Sequence, residues 1–181
     1  MGSALRFRSR APDATRSAAR ALAAAIDERG LVLALAGKLG TGKTVFVKGL
    51  ADGLGVDPEL VGSPTFTIVH EYPAAGVGDR CMAHVDLYRL ESEAELEAVG
   101  FLDLLADGAV VAIEWADRLP GALPAERLEL RLTRDPEPEA RGFEVFATGP
   151  DSARVLARWR ARLADLDEIE LRPEAAESSW P

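Results

Sequence analysis

LVLALAGKLGTGKTVFVKGL, residues 31–50, decides the fold. Residues 31–36 are a short uninterrupted apolar run, which predicts a buried strand. From Lys43 to about Leu54 the pattern is helical, with Gly55 as its stop. Between the two, Gly37-Lys38-Leu39-Gly40-Thr41-Gly42-Lys43-Thr44 fits G-x-x-x-x-G-K-[ST]. Its three glycines let the backbone wrap tightly enough for successive N–H groups to meet phosphate oxygens. The start of the helix adds a partial positive charge at the same place. Lys43 is placed to reach β- and γ-phosphates, and Thr44 to offer its hydroxyl to Mg2+. This stretch also holds every lysine of the chain, Lys38, Lys43 and Lys48; elsewhere the base is arginine. A planar guanidinium is too bulky for such a cradle, so geometry accounts for Lys43 in a chain that otherwise uses arginine. Lys48 reads as a solvated surface charge.

The rest of the composition narrows the function. A chain of 181 residues, 48% hydrophobic, suggests one main domain with a short appendage. A net charge of −9 makes it a poor candidate for gripping a nucleic-acid backbone unaided. It suits a small ligand or a protein partner better. No apolar run approaches the roughly 18 residues needed to cross a bilayer. The single cysteine, Cys81, cannot form an internal disulfide or a cysteine zinc site, which points to a reducing, cytoplasmic setting. The first residues are rich in Arg, Ser and Ala, as transit peptides are, but arginine and alanine are enriched throughout and the segment runs into a helix pattern.

Along the chain, Asp13 or Thr15 can cap a helix reaching about Arg29. Residues 56–67 read as a loop. FTIVHEY (66–72) and DRCMAHVDLYRL (79–90) read as two strands of a hairpin. ESEAELEAVG and FLDLLAD read as short helices, and AVVAIEW (109–115) as a second buried strand. RLELRLT (127–133) and GFEVFAT (142–148) alternate as half-buried antiparallel strands do. DSARVLARWRARLADL is an amphipathic helix followed by a tail. The expected fold is α/β, a P-loop NTPase-like three-layer arrangement whose mixed sheet has a parallel core and antiparallel additions. The domain expected at 1–149 carries the chemistry, with a C-terminal helix and tail at 150–181.

A magnesium site beside such a loop needs a carboxylate at the end of a neighbouring buried strand. Glu114, after the wholly apolar run 109–113, is favoured, directly or through water; Asp86, after CMAHV, is kept as a second catalytic or metal-linked carboxylate. Thr65, in Ser63-Pro64-Thr65-Phe66-Thr67, could sense a γ-phosphate and its metal. Trp115 reads equally as core or as a contact for a ligand or partner. His70 and His84 read as structural. The chain contains neither asparagine nor glutamine, so a guanine-reading Asn-Lys-x-Asp motif is impossible and no Ras-like glutamine orients water. ATP is therefore expected over GTP, with slow hydrolysis.

GKLGTGKT, SPTFT, HVDLYRL and IEW, in that order, resemble the bacterial tRNA threonylcarbamoyladenosine biosynthesis ATPase family, TsaE (also called YjeE), over roughly residues 13–148. The resemblance implies a slow Mg2+-dependent ATPase that works with TsaB and TsaD. In that pathway TsaD transfers a threonylcarbamoyl group to the adenosine beside the anticodon in tRNAs reading codons that begin with A. It also implies that tRNA is met indirectly, through the complex. By position, Leu39, Gly40, Thr41, Gly42, Lys43 and Thr44 would hold the phosphates, and Thr44 and Glu114 the metal. Asp86 matches the family's essential aspartate, Thr65 its switch threonine and Trp115 its site tryptophan. Lys38 stands where the family commonly has Asp or Glu. From the residues alone a small-molecule kinase and a non-hydrolysing ATP switch remain open. A kinase would need an arginine-bearing lid, and the arginines of 117–141 lie in a stretch that looks strand-forming.

Overall fold

In the computed structural model, which describes residues 4–62, 68–73, 81–106 and 108–173, the chain runs β1 (Ala4–Ser9), α1 (Pro12–Ala23), β2 (Leu31–Ala36), α2 (Lys43–Gly53), β3 (Val69–Pro73), β4 (Cys81–Asp86), α3 (Glu93–Ala98), β5 (Val110–Glu114), β6 (Leu128–Arg134), β7 (Arg141–Ala147), α4 (Pro150–Leu163) and β8 (Ile169–Arg172). Among the described residues, one eight-stranded sheet has the order β3-β4-β5-β2-β6-β7-β1-β8. The inner pairs β4–β5, β5–β2 and β2–β6 are parallel. The outer pairs β3–β4, β6–β7, β7–β1 and β1–β8 are antiparallel. This is the mixed sheet with a parallel core expected from the sequence.

Side-chain parity sorts the two faces. Leu31, Leu33 and Leu35 of β2, with Val110 and Ala112 of β5, pack in one core with α1, α2 and α4. Ala34, Val111 and Ile113 face the opposite core, under Leu96 of α3 and Phe101. Strands buried on both faces must be apolar throughout, which is why 31–36 and 110–113 carry no polar residue. The same parity sends Glu114, two residues past Ala112, to the α2 face.

Helix α2 lies close against α1. A Cβ added at Gly49 would stand 2.6 Å from the Cα of Arg16, so only glycine permits this approach. Gly53, one turn on, meets Ala23 in the same way. The phosphate-loop helix is thereby seated on a fixed neighbour.

Helix α1 ends at Ala23, a turn and a half before the expected stop at Arg29. Two strands fall where none was expected. β1 alternates Leu5 and Phe7 inward with Arg6 and Arg8, yet its partner β7 lies far along the chain, so no local turn announces it. β8 occupies part of the segment expected as tail and pairs with β1. Helix α4 sits in the same core as the rest. Its Trp159 is 0% exposed, donates from Nε1 to the Ala18 carbonyl at 2.9 Å, and meets Phe7 and Phe46 edge-on. No helix of the described residues is long and apolar enough to cross a membrane.

Arg8 ties the antiparallel half together. Its guanidinium donates to both carboxylate oxygens of Asp135 (2.9 and 3.0 Å) and pairs with Glu137 at 2.8 Å, both in the β6–β7 turn. The Arg8 side-chain hydrogen bond holds the Asp135 carboxyl below its ordinary pKa. A depressed folded pKa stabilises at pH above the ordinary carboxylate value, and that stability is lost as pH falls through the depressed one. The stability gap between the parent and Arg8→Met is therefore expected to be full at pH 7 and to shrink below about pH 4. Urea unfolding midpoints at the two pH values check this; an equal gap at both would show that Asp135 gains nothing from Arg8.

Candidate functional site

The loop after β2 has the backbone its glycines predict. Gly37, Gly40 and Gly42 take φ of 150°, 75° and 99°. Gly42 caps α2, and its carbonyl accepts the Phe46 N–H at 2.9 Å. Thr41 is buried, and its hydroxyl donates back to the Lys38 carbonyl at 2.9 Å. Leu39 sits at the loop tip with its side chain 78% exposed, so its part in any phosphate grip is its backbone.

Lys43, the first residue of α2, is buried under this loop. Its Nζ donates to the carbonyls of Gly37 (2.7 Å) and Lys38 (3.2 Å) and stands 3.7 Å from the centre of the Trp115 ring. Burial pulls the pKa of its ammonium down, while Glu114, Asp117 and Asp86 act in the opposite direction. Trp115 itself is half-buried. It takes φ 57°, a left-handed backbone rare for a bulky residue, and its ring packs 4.9 Å from that of Tyr88.

Thr44 donates its hydroxyl to Glu114 Oε1 at 2.8 Å. Glu114 is 2% exposed, and Asp86 stands directly across from it in the β4–β5 register. Asp86 Oδ1 accepts the Tyr88 N–H at 2.8 Å, which fixes the carboxylate at the strand end. Thr44, Glu114 and Asp86 are thus oxygen donors converging beside the loop, the donor type a hard divalent cation takes. Among the described residues no group of three or more His, Cys, Asp and Glu could hold a metal by itself. An ion held by one or two carboxylates, a hydroxyl and phosphate oxygens needs no such group, so these residues fit Mg2+.

His84, expected as structural, belongs to this constellation. It is fully buried, and its Nε2 lies 3.0 Å from the same Glu114 oxygen that accepts from Thr44. Its Nδ1 has no partner among the described residues. Nε2–H is therefore the donor in the tautomer that satisfies Glu114. The signal was present in the sequence: His84 and Asp86 are two apart on a strand and must share a face. His70 is instead on β3, 3.2 Å from the Tyr72 hydroxyl. Thr65 lies outside the described residues.

Two cavities flank the loop. One of about 750 Å3 is lined by Gly37, Lys38, Leu39, Asp117 and the end of β6; the other, about 530 Å3, by Lys43, Thr44, Asp86 and Glu114. Trp115 and Leu39 line both. Leu39, Gly40, Thr41, Gly42, Lys43, Thr44, Asp86, Glu114 and Trp115 therefore meet at one edge of the sheet, beyond the C-terminal ends of its parallel strands.

Residues 9–142 match the family described as threonylcarbamoyl adenosine biosynthesis protein TsaE. The chain is 41% identical over 130 residues to a Bacillus subtilis protein named tRNA threonylcarbamoyladenosine biosynthesis protein TsaE, covering 72% of this chain and 78% of that one. It is 36% identical over 120 residues to the protein of the same name from Haemophilus influenzae, covering 66% and 72%. The crystal structure of Bacillus subtilis YdiB superposes with a TM-score of 0.69 at 30% identity, over 89% of this chain and 97% of that one. With the phosphate loop, HVDLYRL and IEW all inside the matched span, the chain belongs to the TsaE family.

Proposed function

We propose that this chain is the ATP-binding, slowly hydrolysing subunit required for threonylcarbamoyl modification of adenosine 37 in tRNAs reading codons that begin with A, acting with TsaB and TsaD in the cytoplasm. The observation that carries the reading is the Thr44 hydroxyl bonded to Glu114 at the first turn of the loop helix, beside a buried Lys43. The backbone of residues 39–44 binds the phosphates of ATP. Lys43 leaves the Gly37 and Lys38 carbonyls to meet the β- and γ-oxygens. Thr44 and Glu114 would hold Mg2+, with Asp86 as a second carboxylate beside them. That ion, when bound, screens the charge that develops between the β- and γ-phosphates. His84 keeps Glu114 turned toward Thr44. With no glutamine in the chain to orient a water, turnover by the isolated protein is slow. The −9 charge supports a role in which other subunits hold the tRNA. Of the arginines of 117–141, Arg131 and Arg134 lie on β6 and Arg141 opens β7, while Arg118 sits in a 3-10 turn and Arg127 just before β6; the three on strands are fixed in the sheet, which favours the ATPase reading over a kinase with an arginine-bearing lid.

Phosphate release by the purified chain, alone and with TsaB, TsaD and tRNA, tests this. Release is expected to rise with the partners and to accompany repeated rounds of adenosine modification. Release indifferent to the partners, with the phosphate found on a metabolite, would replace this reading with a kinase. ATP binding without turnover under all conditions would replace it with a switch.

A further inference from the structure

Loop carbonyls and loop N–H groups cannot all face the same way. A loop that turns its amides toward an anion turns carbonyls outward, and those need donors of their own. In this chain every carbonyl from Gly37 to Gly42 has one. Lys43 takes the Gly37 carbonyl, and Lys43 and Thr41 share that of Lys38. The Phe46 N–H takes the Gly42 carbonyl. The three between them are held from another part of the fold. Arg134 Nη2 donates to the Leu39 carbonyl at 3.0 Å. Arg141 donates from Nε to the Thr41 carbonyl at 3.1 Å and from Nη2 to the Gly40 carbonyl at 3.5 Å.

These two arginines are partners in the β6–β7 register, at the end of the hairpin nearest the loop. β6 is the direct neighbour of β2, so the hairpin end stands beside the loop by topology. A Cβ on Gly37 would come within 2.6 Å of the Leu132 carbonyl. The Arg141 guanidinium is itself held in place, since its Nη1 donates to the Pro138 and Ala140 carbonyls at 2.8 and 2.7 Å. The turn carrying Pro138 and Ala140 also carries Asp135 and Glu137, which Arg8 grips from β1. The loop is therefore cross-braced to the antiparallel half of the sheet.

We propose that Arg134 and Arg141 are positioning residues that hold the phosphate loop in its anion-binding shape before nucleotide arrives and while Lys43 turns away from it. The proposal rests on the phosphate-binding reading of the loop. Its logic is a division of labour among donors. When Lys43 moves to a phosphate, the Gly37 and Lys38 carbonyls lose it; the Leu39, Gly40 and Thr41 carbonyls keep their arginines. A glycine-rich loop without that brace would have to be ordered anew by each ligand, and the ordering entropy would weaken binding.

The test compares the full chain with Arg134→Met/Arg141→Met, which keeps much of the apolar stems and removes the donors. In 15N relaxation of nucleotide-free protein, the Gly40 and Gly42 amides are expected to show order parameters near ~0.85 in the parent and below about 0.6 in the variant. Affinity for inorganic pyrophosphate and for ATP with Mg2+, read by calorimetry, is expected to weaken about tenfold. The loss falls in KM rather than kcat. Arg141→Lys, with one point donor in place of the fork, is expected to restore part of both. If the double variant does not fold, Arg141→Met alone is read in the same way. Unchanged order parameters overturn the brace, whatever nucleotide the protein uses, since that measurement contains none. Disorder without loss of pyrophosphate affinity overturns its link to binding. A fall in kcat at unchanged KM makes the arginines catalytic instead.

Discussion

Lys43→Ala is expected to lower ATP affinity by at least about a hundredfold and to remove measurable turnover. Two effects add. The first is the lost contact to the β- and γ-oxygens. Truncating one partner of a buried, hydrogen-bonded charge pair costs roughly 2–5 kcal/mol, which is about 30- to several-thousand-fold. The second is local charge. Lys43 is a buried cation facing Glu114, Asp117 and Asp86. Without it the cavity that should receive a polyphosphate keeps the Asp86 and Glu114 carboxylates against Arg141 alone among its described lining cations. Lys43→Arg is not expected to rescue, because a planar fork cannot take the place of a compact ammonium held 2.7 Å from the Gly37 carbonyl. Calorimetry with ATP and Mg2+ reads the affinity directly. Parent-like affinity in Lys43→Ala would remove the loop from the binding site.

Trp159→Ala is expected to cost about 3–5 kcal/mol, the range for emptying a buried large aromatic site. Trp159 is fully buried and joins three parts of the chain: it bonds the Ala18 carbonyl of α1, and its ring meets Phe7 of β1 and Phe46 of α2. Phe7 in turn stacks on Phe143 at 4.4 Å. Removing the indole leaves a void among rigid rings and secondary-structure backbones that cannot close over it. For a chain of this length the melting temperature should fall by roughly 6–20 °C. Trp159→Phe, which keeps most of the ring area and loses the N–H, should cost less. A loss under about 1 kcal/mol in Trp159→Ala would mean that α4 is an appendage after all. Phe46 lies on the helix that starts at Lys43, so the variant should also loosen nucleotide binding.

What could be read from the sequence was the part whose physics is local. The apolar run 31–36, the glycines of 37–42 and the helix beyond them sit within one short stretch, and each constrains the next. The position of Glu114 was legible because a strand buried on both faces announces itself, and the residue that ends it lies beside the loop that follows the neighbouring parallel strand. The arginine brace was not legible. Arg134 and Arg141 reach the loop from about a hundred residues away, and in the sequence they look like the other arginines of the chain. β1 and β8 escaped for the same reason, since each is defined by a partner distant in sequence. Helix α1 was overextended because the alanine-rich stretch past Ala23 has helical propensity, while the chain must turn there to enter β2. His84 could have been placed from its spacing to Asp86; what hid it was that an imidazole inside a sheet is most often only packing.

If the loop binds nucleotide as proposed, the hold that Lys43 keeps on its own loop makes nucleotide entry an exchange and not a simple addition. Two carbonyls and an indole ring surrender their cation when a phosphate acquires it. The free energy of loading is then the difference between two occupied arrangements of one ammonium, which is smaller than either alone. The same difference applies in reverse: as spent nucleotide departs, the lysine returns to contacts already in place, and no buried charge is stranded in the vacated cradle. A site arranged in this way would trade tightness for ease of release, which is what the proposed role as a repeatedly emptied subunit asks of it.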